Sequence, residues 1–321
     1  MSDVRMLLNV GIDPAAGAEL ADGVKGPGRS LIRYLRERCM LVVESDAAAG
    51  ELQRAFQQTV SAEFAQAVAL LLQHRRVRSA PVPAPVALKD LESLDEIGSW
   101  LGFADLLLLA QWRLEYLEPQ TTPVAPEIAT LREAMNSEAM ERVNEAWDKP
   151  VLLGEKREDV WLERFEPFTR HSDNVYIVDG YLAAALARRL TAKAMGGPKP
   201  GGEWFLNRLA NTRVKRVYIA TSSRPVLSDR RSVEDVHHLI LSWFNSLGSG
   251  TELRLHIVDG NFDHGRRVAF EGFAGFDIHK GLATFDDSRI SESMGMNASR
   301  ALADEVVREF TRITASQALG A

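Results

Sequence analysis

The sequence holds a single cysteine, Cys39, so no internal disulfide can form and no cysteine-rich zinc site can be assembled. Long apolar runs are also missing. The longest, Phe103 to Ala110, is interrupted by Asp105 and falls far short of the roughly 20 residues that cross a bilayer. Met1 leads through Ser-Asp-Val-Arg into a short apolar stretch, without the basic start and long apolar core of a signal peptide, and a cytoplasmic location is expected. Basic excess is absent too. The formal net charge is −6, which argues against a surface coated with cations for sequence-blind nucleic-acid binding and leaves room only for a local basic face. The histidines show no metal-site spacing, so no metal and no cofactor are expected; His171, His237, His238, His256 and His279 read as surface or hydrogen-bonded core residues.

What is present is a soluble, globular composition in 321 residues, enough for two domains with separate cores. The expected division is an N-terminal α/β domain over 1–118, a linker with a connecting helix over 119–154, and a second α/β domain over 155–321. In the first, Met6 to Val10 and Cys39 to Glu44 read as buried strands with a helix from Ser30 to Glu37 between them. Helices are expected over Ala48 to Gln57, Ser61 to His74 and Leu94 to Trp112, the last broken near a glycine. The stretch Asp22 to Gly28 lacks the Gly-Lys-Ser/Thr ending of a phosphate loop and reads as a turn. Asp13, Glu44 and Asp46 follow strands, and Asp105 lies further on. A PIN-like metal nuclease would gather acids in this way, but Asn9 stands where a first ligand is expected, and N-cap and turn roles explain the acids as well. Proline-rich stretches at Ala80–Pro85 and Pro119–Pro126 mark spacers, and Glu127 to Trp147 has the apolar spacing of one amphipathic helix.

The second half alternates strand and helix: strands near 175–179, 214–220 and 253–258, and helices over 160–169, 181–194, 204–210, 233–247 and 299–313. At its centre, His264, Arg266, Val268 and Phe270 alternate with period two, Gly272 to Gly275 supplies a turn, and Phe276-Asp277-Ile278 begins a return strand. His264 and Arg266 would share a face.

His264, Arg266, Val268, Phe270, Ile278, Lys280, Gly281, Leu282 and Phe285 together resemble the C-terminal domain of MIT-domain proteins, a single phospholipase-D-like fold. Phe165 to Phe168 and the run Val175 to Tyr181, which ends in Asp-x-Tyr, resemble the same family. The resemblance covers roughly residues 155–315. It implies a mixed sheet flanked by helices, and a basic face that binds acidic phospholipid without catalysis. Full phospholipase-D-type enzymes use His-x-Lys with an acid further along, and pair two such motifs. Here His264-x-Arg266 would be the one motif, with Glu271 in the acid position.

Three functions stay open on these residues. The first is a non-catalytic phosphate-binding surface built from His264, Arg266, Arg267 and Lys280, with nucleic acid or nucleotide favoured over lipid; the architecture associates it with prokaryotic antiphage defence. The second is a metal-independent phosphodiesterase or nuclease using His264, Arg266 and Glu271, completed by a homodimer that supplies the second histidine. The third is an adaptor that binds a protein partner through the first domain or the connecting helix. Arg213, Lys215, Arg216, Arg224, Arg230 and Arg231 are the residues from which a longer basic track would be built.

Overall fold

The computed structural model describes residues 6–16, 27–59, 62–73, 76–79, 85–117, 126–192, 200–259, 265–291, 293 and 297–318. His264, the Asp22 to Gly26 turn and most of the proline-rich spacers lie outside the described residues. The chain forms two compact units, Met1–Trp147 and Asp148–Ala321.

The first unit is built on a five-stranded parallel sheet in the order β3-β2-β1-β4-β5. Its strands are β1 (Leu8–Ile12), β2 (Cys39–Val43), β3 (Val77–Ser79), β4 (Leu106–Leu109) and β5 (Glu127–Thr130). All of β2 and β4 is buried, which is why each reads as an unbroken apolar run: a parallel sheet covered on both faces leaves no polar side. This corrects the helix expected over Leu94 to Trp112. A short apolar run does not reveal its period, and the Leu106–Leu109 portion is an inner strand paired with both β1 and β5. The expected helix from Glu127 to Trp147 is likewise three elements, strand β5, a short 3-10 helix over Ala134–Asn136 and then a helix over Glu138–Asp148. The Glu127 carboxylate, at the head of that strand, accepts the backbone N–H groups of Glu138 and Ala139, so it caps the helix that follows. Between the sheet and the 85–117 segment, Gly11 leaves the space that Leu107 and Trp100 fill; a Cβ there would stand 2.6 Å from Leu107 Cδ2.

Asp13 directly follows β1 and is fully buried. It is neutralised by Arg113, whose Nε lies 2.9 Å from Asp13 Oδ2. The same guanidinium donates to the carbonyls of Leu91 at 3.0 Å and Lys89 at 2.8 Å. Asp105 accepts from both the backbone and the side-chain amide of Asn9. Asp46 is bonded by the Ser79 hydroxyl. These acids therefore serve local structure, and among the described residues no group of three or more His, Cys, Asp or Glu is gathered to hold a metal. Cys39 is buried, and burial pushes its thiol well above the ordinary range.

The second unit carries a six-stranded mixed sheet in the order β11-β10-β9-β6-β7-β8. Strands β6 (Asn174–Val178), β7 (Arg216–Ser222) and β8 (Glu252–Val258) are parallel. Strands β9 (Arg267–Phe270), β10 (Ala274–Asp277) and β11 (Asn297–Ser299) run antiparallel to their neighbours. The expected hairpin forms over 267–277, but its turn is Glu271, Gly272 and Phe273, with Gly272 at φ 78°, and not Gly272 to Gly275, so that the return strand begins at Ala274. One face of the sheet rests on an aromatic core in which Phe165 meets Phe276 at 5.0 Å and Phe168 stacks on Phe270 at 5.7 Å. The other face is covered by the Arg300–Ala318 helix through Ala303, Val306 and Phe310. Gly275 permits that approach, since a Cβ there would meet Ala303 N at 2.4 Å. No helix among the described residues is long and apolar enough to cross a membrane.

Candidate functional site

The carboxyl ends of β6 and β10 and the start of β9 lie along one edge of the second sheet, because β9 runs antiparallel to both neighbours. There a cleft of about 550 Å³ opens between the Leu182–Thr191 helix, the start of the Gly201–Ala210 helix and the Lys280–Asp286 segment. Its floor is aliphatic, with Leu182, Leu186 and Leu282. Arg266, Lys280, Arg188 and Arg189 also line it, as do the carboxylates of Asp179, Glu203 and Asp286.

Asp179 organises this edge. It follows β6 immediately, is 5% exposed, and accepts the Tyr181 N–H at 2.9 Å through Oδ1. The backbone N–H groups of Leu282 and Leu182 bond it as well, and the Arg266 charge acts on it. One carboxylate therefore ties the end of β6 to the first turn of a helix and to the segment that follows β10. Gly281 makes the contact close: it sits at φ 64°, and a Cβ there would stand 2.3 Å from Asp179 Oδ2 and 2.7 Å from Arg266 Cδ. Arg266 donates through Nη1 to the Lys280 carbonyl at 2.5 Å, and its guanidinium lies 5.0 Å from the centre of the half-exposed Tyr181 ring. Two further arginines line the cleft. Arg189 pairs with Glu203 at 3.3 Å. Arg188 makes a long 3.5 Å ion pair with Asp229 and is 59% exposed, so it can turn toward an anion at small expense.

Of the residues singled out from the sequence, Arg266 and Lys280 come together in this cleft. His264, two positions ahead of Arg266 in the chain, lies outside the described residues. Arg267 does not join them. Period two turns it to the other face of β9, where its guanidinium is held by Glu305 at 2.8 Å and Glu309 at 3.2 Å. Glu271 is at the far end of β9, five residues from Arg266, or roughly 17 Å along a strand. There its carboxylate accepts the Asn174 side-chain amide and its backbone N–H bonds the Asn174 carbonyl. The acid beside Arg266 is Asp179, not Glu271. Its signal was present in the sequence, an acid directly after the Val175 to Val178 strand, but only the return of β9 beside β6 shows that it meets Arg266.

The basic track also separates. Arg213, Lys215 and Arg216 precede or begin β7, with Lys215 bridged to Asp173 at 3.0 Å, whereas Arg224, Arg230 and Arg231 follow its end. A seven-residue strand sets the two groups roughly 23 Å apart. Three of the described histidines have local partners: His237 bonds the Leu255 carbonyl at 3.1 Å, His171 packs near Phe273, and His256 lies edge-on to Phe310.

Burial raises the Asp179 pKa above the ordinary carboxylate value, outweighing the hydrogen bonds and the Arg266 charge that lower it. A carboxyl of this kind binds its proton more tightly folded than unfolded. Its contribution to stability is therefore full below the ordinary carboxylate pKa and is lost as pH rises through the raised folded value. The Asp179→Asn variant should lack that slope. Urea denaturation across the acid range should show the wild type losing stability relative to the variant as pH rises, with a slope of at most about 1.4 kcal/mol per pH interval of one, the limit for a single proton. Parallel stability profiles would refute this reading of Asp179.

An α/β protein of two units, with a cationic cleft at a sheet edge of the second, is the class that fold and site define. No protein-family model and no curated protein matches the chain.

Proposed function

We propose that the protein binds a phosphate-bearing ligand, a nucleic acid or a nucleotide, in the cleft beside Arg266, and that its second unit is a phospholipase-D-like domain of the MIT C-terminal kind with one His-x-Arg motif. A role in prokaryotic antiphage defence belongs to the same reading. The observation that carries it is the convergence of Arg266, Lys280 and Arg188 on one cleft. Arginine holds a phosphate through paired charge-assisted hydrogen bonds, and a semi-enclosed cleft strengthens them. The PIN-like reading of the first unit has less support, because Asp13 is occupied by Arg113.

The reading is tested with end-labelled single- and double-stranded DNA and RNA and with labelled nucleotides, each in magnesium and in EDTA. Arg266→Ala should weaken binding by about ten- to a hundredfold, the loss of one or two charge-assisted hydrogen bonds of about 1.5–3 kcal/mol. Equal affinity in wild type and variant would remove the cleft as the binding site.

Catalysis is a second reading, favoured by the buried Asp179 carboxyl beside Arg266, whose pKa burial raises above the ordinary carboxylate value. Phosphohistidine chemistry at His264, with a second histidine from a homodimer, would give cleavage that survives EDTA and disappears in His264→Ala. Absence of cleavage in every lane would sink it.

A further inference from the structure

We infer that the ligand of this cleft is a nucleoside monophosphate or a similarly small organic phosphate, and not a nucleic-acid strand; the inference rests on the phosphate-binding reading above and narrows it. Three observations converge. The first is size: about 550 Å³ lies in the range of small-molecule sites and is bounded by helices on two sides, whereas a strand-binding groove is long and open at both ends.

The second is the division of the lining. Arg266, Lys280 and Arg188 supply cations, while Leu182, Leu186 and Leu282 form an aliphatic surface in the same cleft. With Arg189, four cations against three carboxylates leave the lining with one net positive charge, enough for one phosphate group and too little for a polyanion, whose affinity comes from many neutralised phosphates. An aliphatic wall is suited to the faces of a base. The Glu203 carboxylate, within the cleft, is an acceptor for ribose hydroxyls or an exocyclic amine.

The third is the placement of the other cations. A strand crossing this edge would meet Arg224, Arg230 and Arg231 but not Arg213, Lys215 and Arg216, which belong to the opposite end of β7. Arg231 is moreover engaged with Thr191 at 2.7 Å.

The test is calorimetric titration of the full chain with the four common nucleoside monophosphates, the matching nucleosides, inorganic phosphate and a single-stranded oligonucleotide. Two variants accompany it. Arg266→Ala removes the phosphate contact. Ala185→Trp, at an exposed helix position lining the cleft, fills the space for the base. Thermal melting checks that both are folded. At least one monophosphate should bind about tenfold or more tightly than its nucleoside and than inorganic phosphate, and both variants should reduce that affinity about tenfold or more. Suppose instead that the oligonucleotide binds more tightly than every monophosphate, depends on Arg266 and is indifferent to Ala185→Trp. The small-ligand inference would then be overturned and the phosphate-binding reading kept. If no phosphate compound binds in an Arg266-dependent way, both fall.

Discussion

Arg113→Ala is expected to destabilise the first unit by about 3–5 kcal/mol, because it strands the fully buried Asp13 carboxylate without a counter-charge. Against a typical total of about 5–15 kcal/mol, that is enough to unfold much of the population at body temperature. The guanidinium is itself only 9% exposed and also closes the carbonyls of Leu91 and Lys89, so its removal leaves three acceptors unsatisfied in one place. A double replacement, Asp13→Leu with Arg113→Met, removes both charges together and should cost less than Arg113→Ala alone. Urea denaturation of the three variants measures this. A single-variant loss under about 1 kcal/mol would mean that Asp13 reaches solvent or a proton, and the structural assignment of this acid would have to be given up.

The second large effect is expected in the other unit. At Gly201, a Cβ would lie 1.7 Å from the Leu282 carbonyl oxygen and 2.9 Å from the carbonyl carbons of Leu282 and Phe285. These are backbone atoms of the segment that walls the cleft, so no side-chain rotation can relieve the overlap. Gly201→Ala should cost about 3 kcal/mol, at the upper end of the usual penalty for overpacking. It should also disturb the Gly201 N–H contact with Asp286 Oδ1, now 2.7 Å, and so lower ligand affinity together with stability. Gly202→Ala is the comparison. Its Cβ would meet only Leu182 and Leu186 side-chain atoms, the nearest at 2.7 Å, and the loss should be clearly smaller. Equal losses at both positions would show that the Lys280–Asp286 segment yields easily, contrary to a fixed cleft wall.

Much of the second unit was legible in the sequence, since half-buried strands alternate and amphipathic helices repeat. Val175–Val178 and the Val233–Asn245 helix carry such patterns, and the 267–277 hairpin is marked by its glycine-bearing turn although its strands are buried on both faces. Less of the first unit was legible. Leu106–Leu109 is buried on every side, so its run of leucines carries no period, and Glu127–Thr130 is short enough to merge by eye with the helix that follows. Three-residue edge strands such as Val77–Ser79 are fixed by pairing with β2, a tertiary event with almost no local signal. For the site, motif spacing pointed to Arg266 and Lys280. It also pointed to Arg267 and Glu271, because a linear motif does not show that β9 turns Arg267 to the helix-covered face or carries Glu271 to the opposite end of the sheet. Asp179 and Arg188 lie some eighty residues upstream, and their part in the cleft follows from the pairing of β6 with β9.

The central claim, that a phosphate ligand occupies the Arg266 cleft, is tested most directly by hydrogen exchange of the full chain with and without saturating nucleotide or oligonucleotide. Slowed exchange should concentrate in peptides spanning Tyr181–Arg189 and Gly265–Ala283, on the three elements that carry Arg188, Arg266 and Lys280. Protection confined to Arg213–Arg216 at the other sheet edge, or to the first unit, would contradict the assignment.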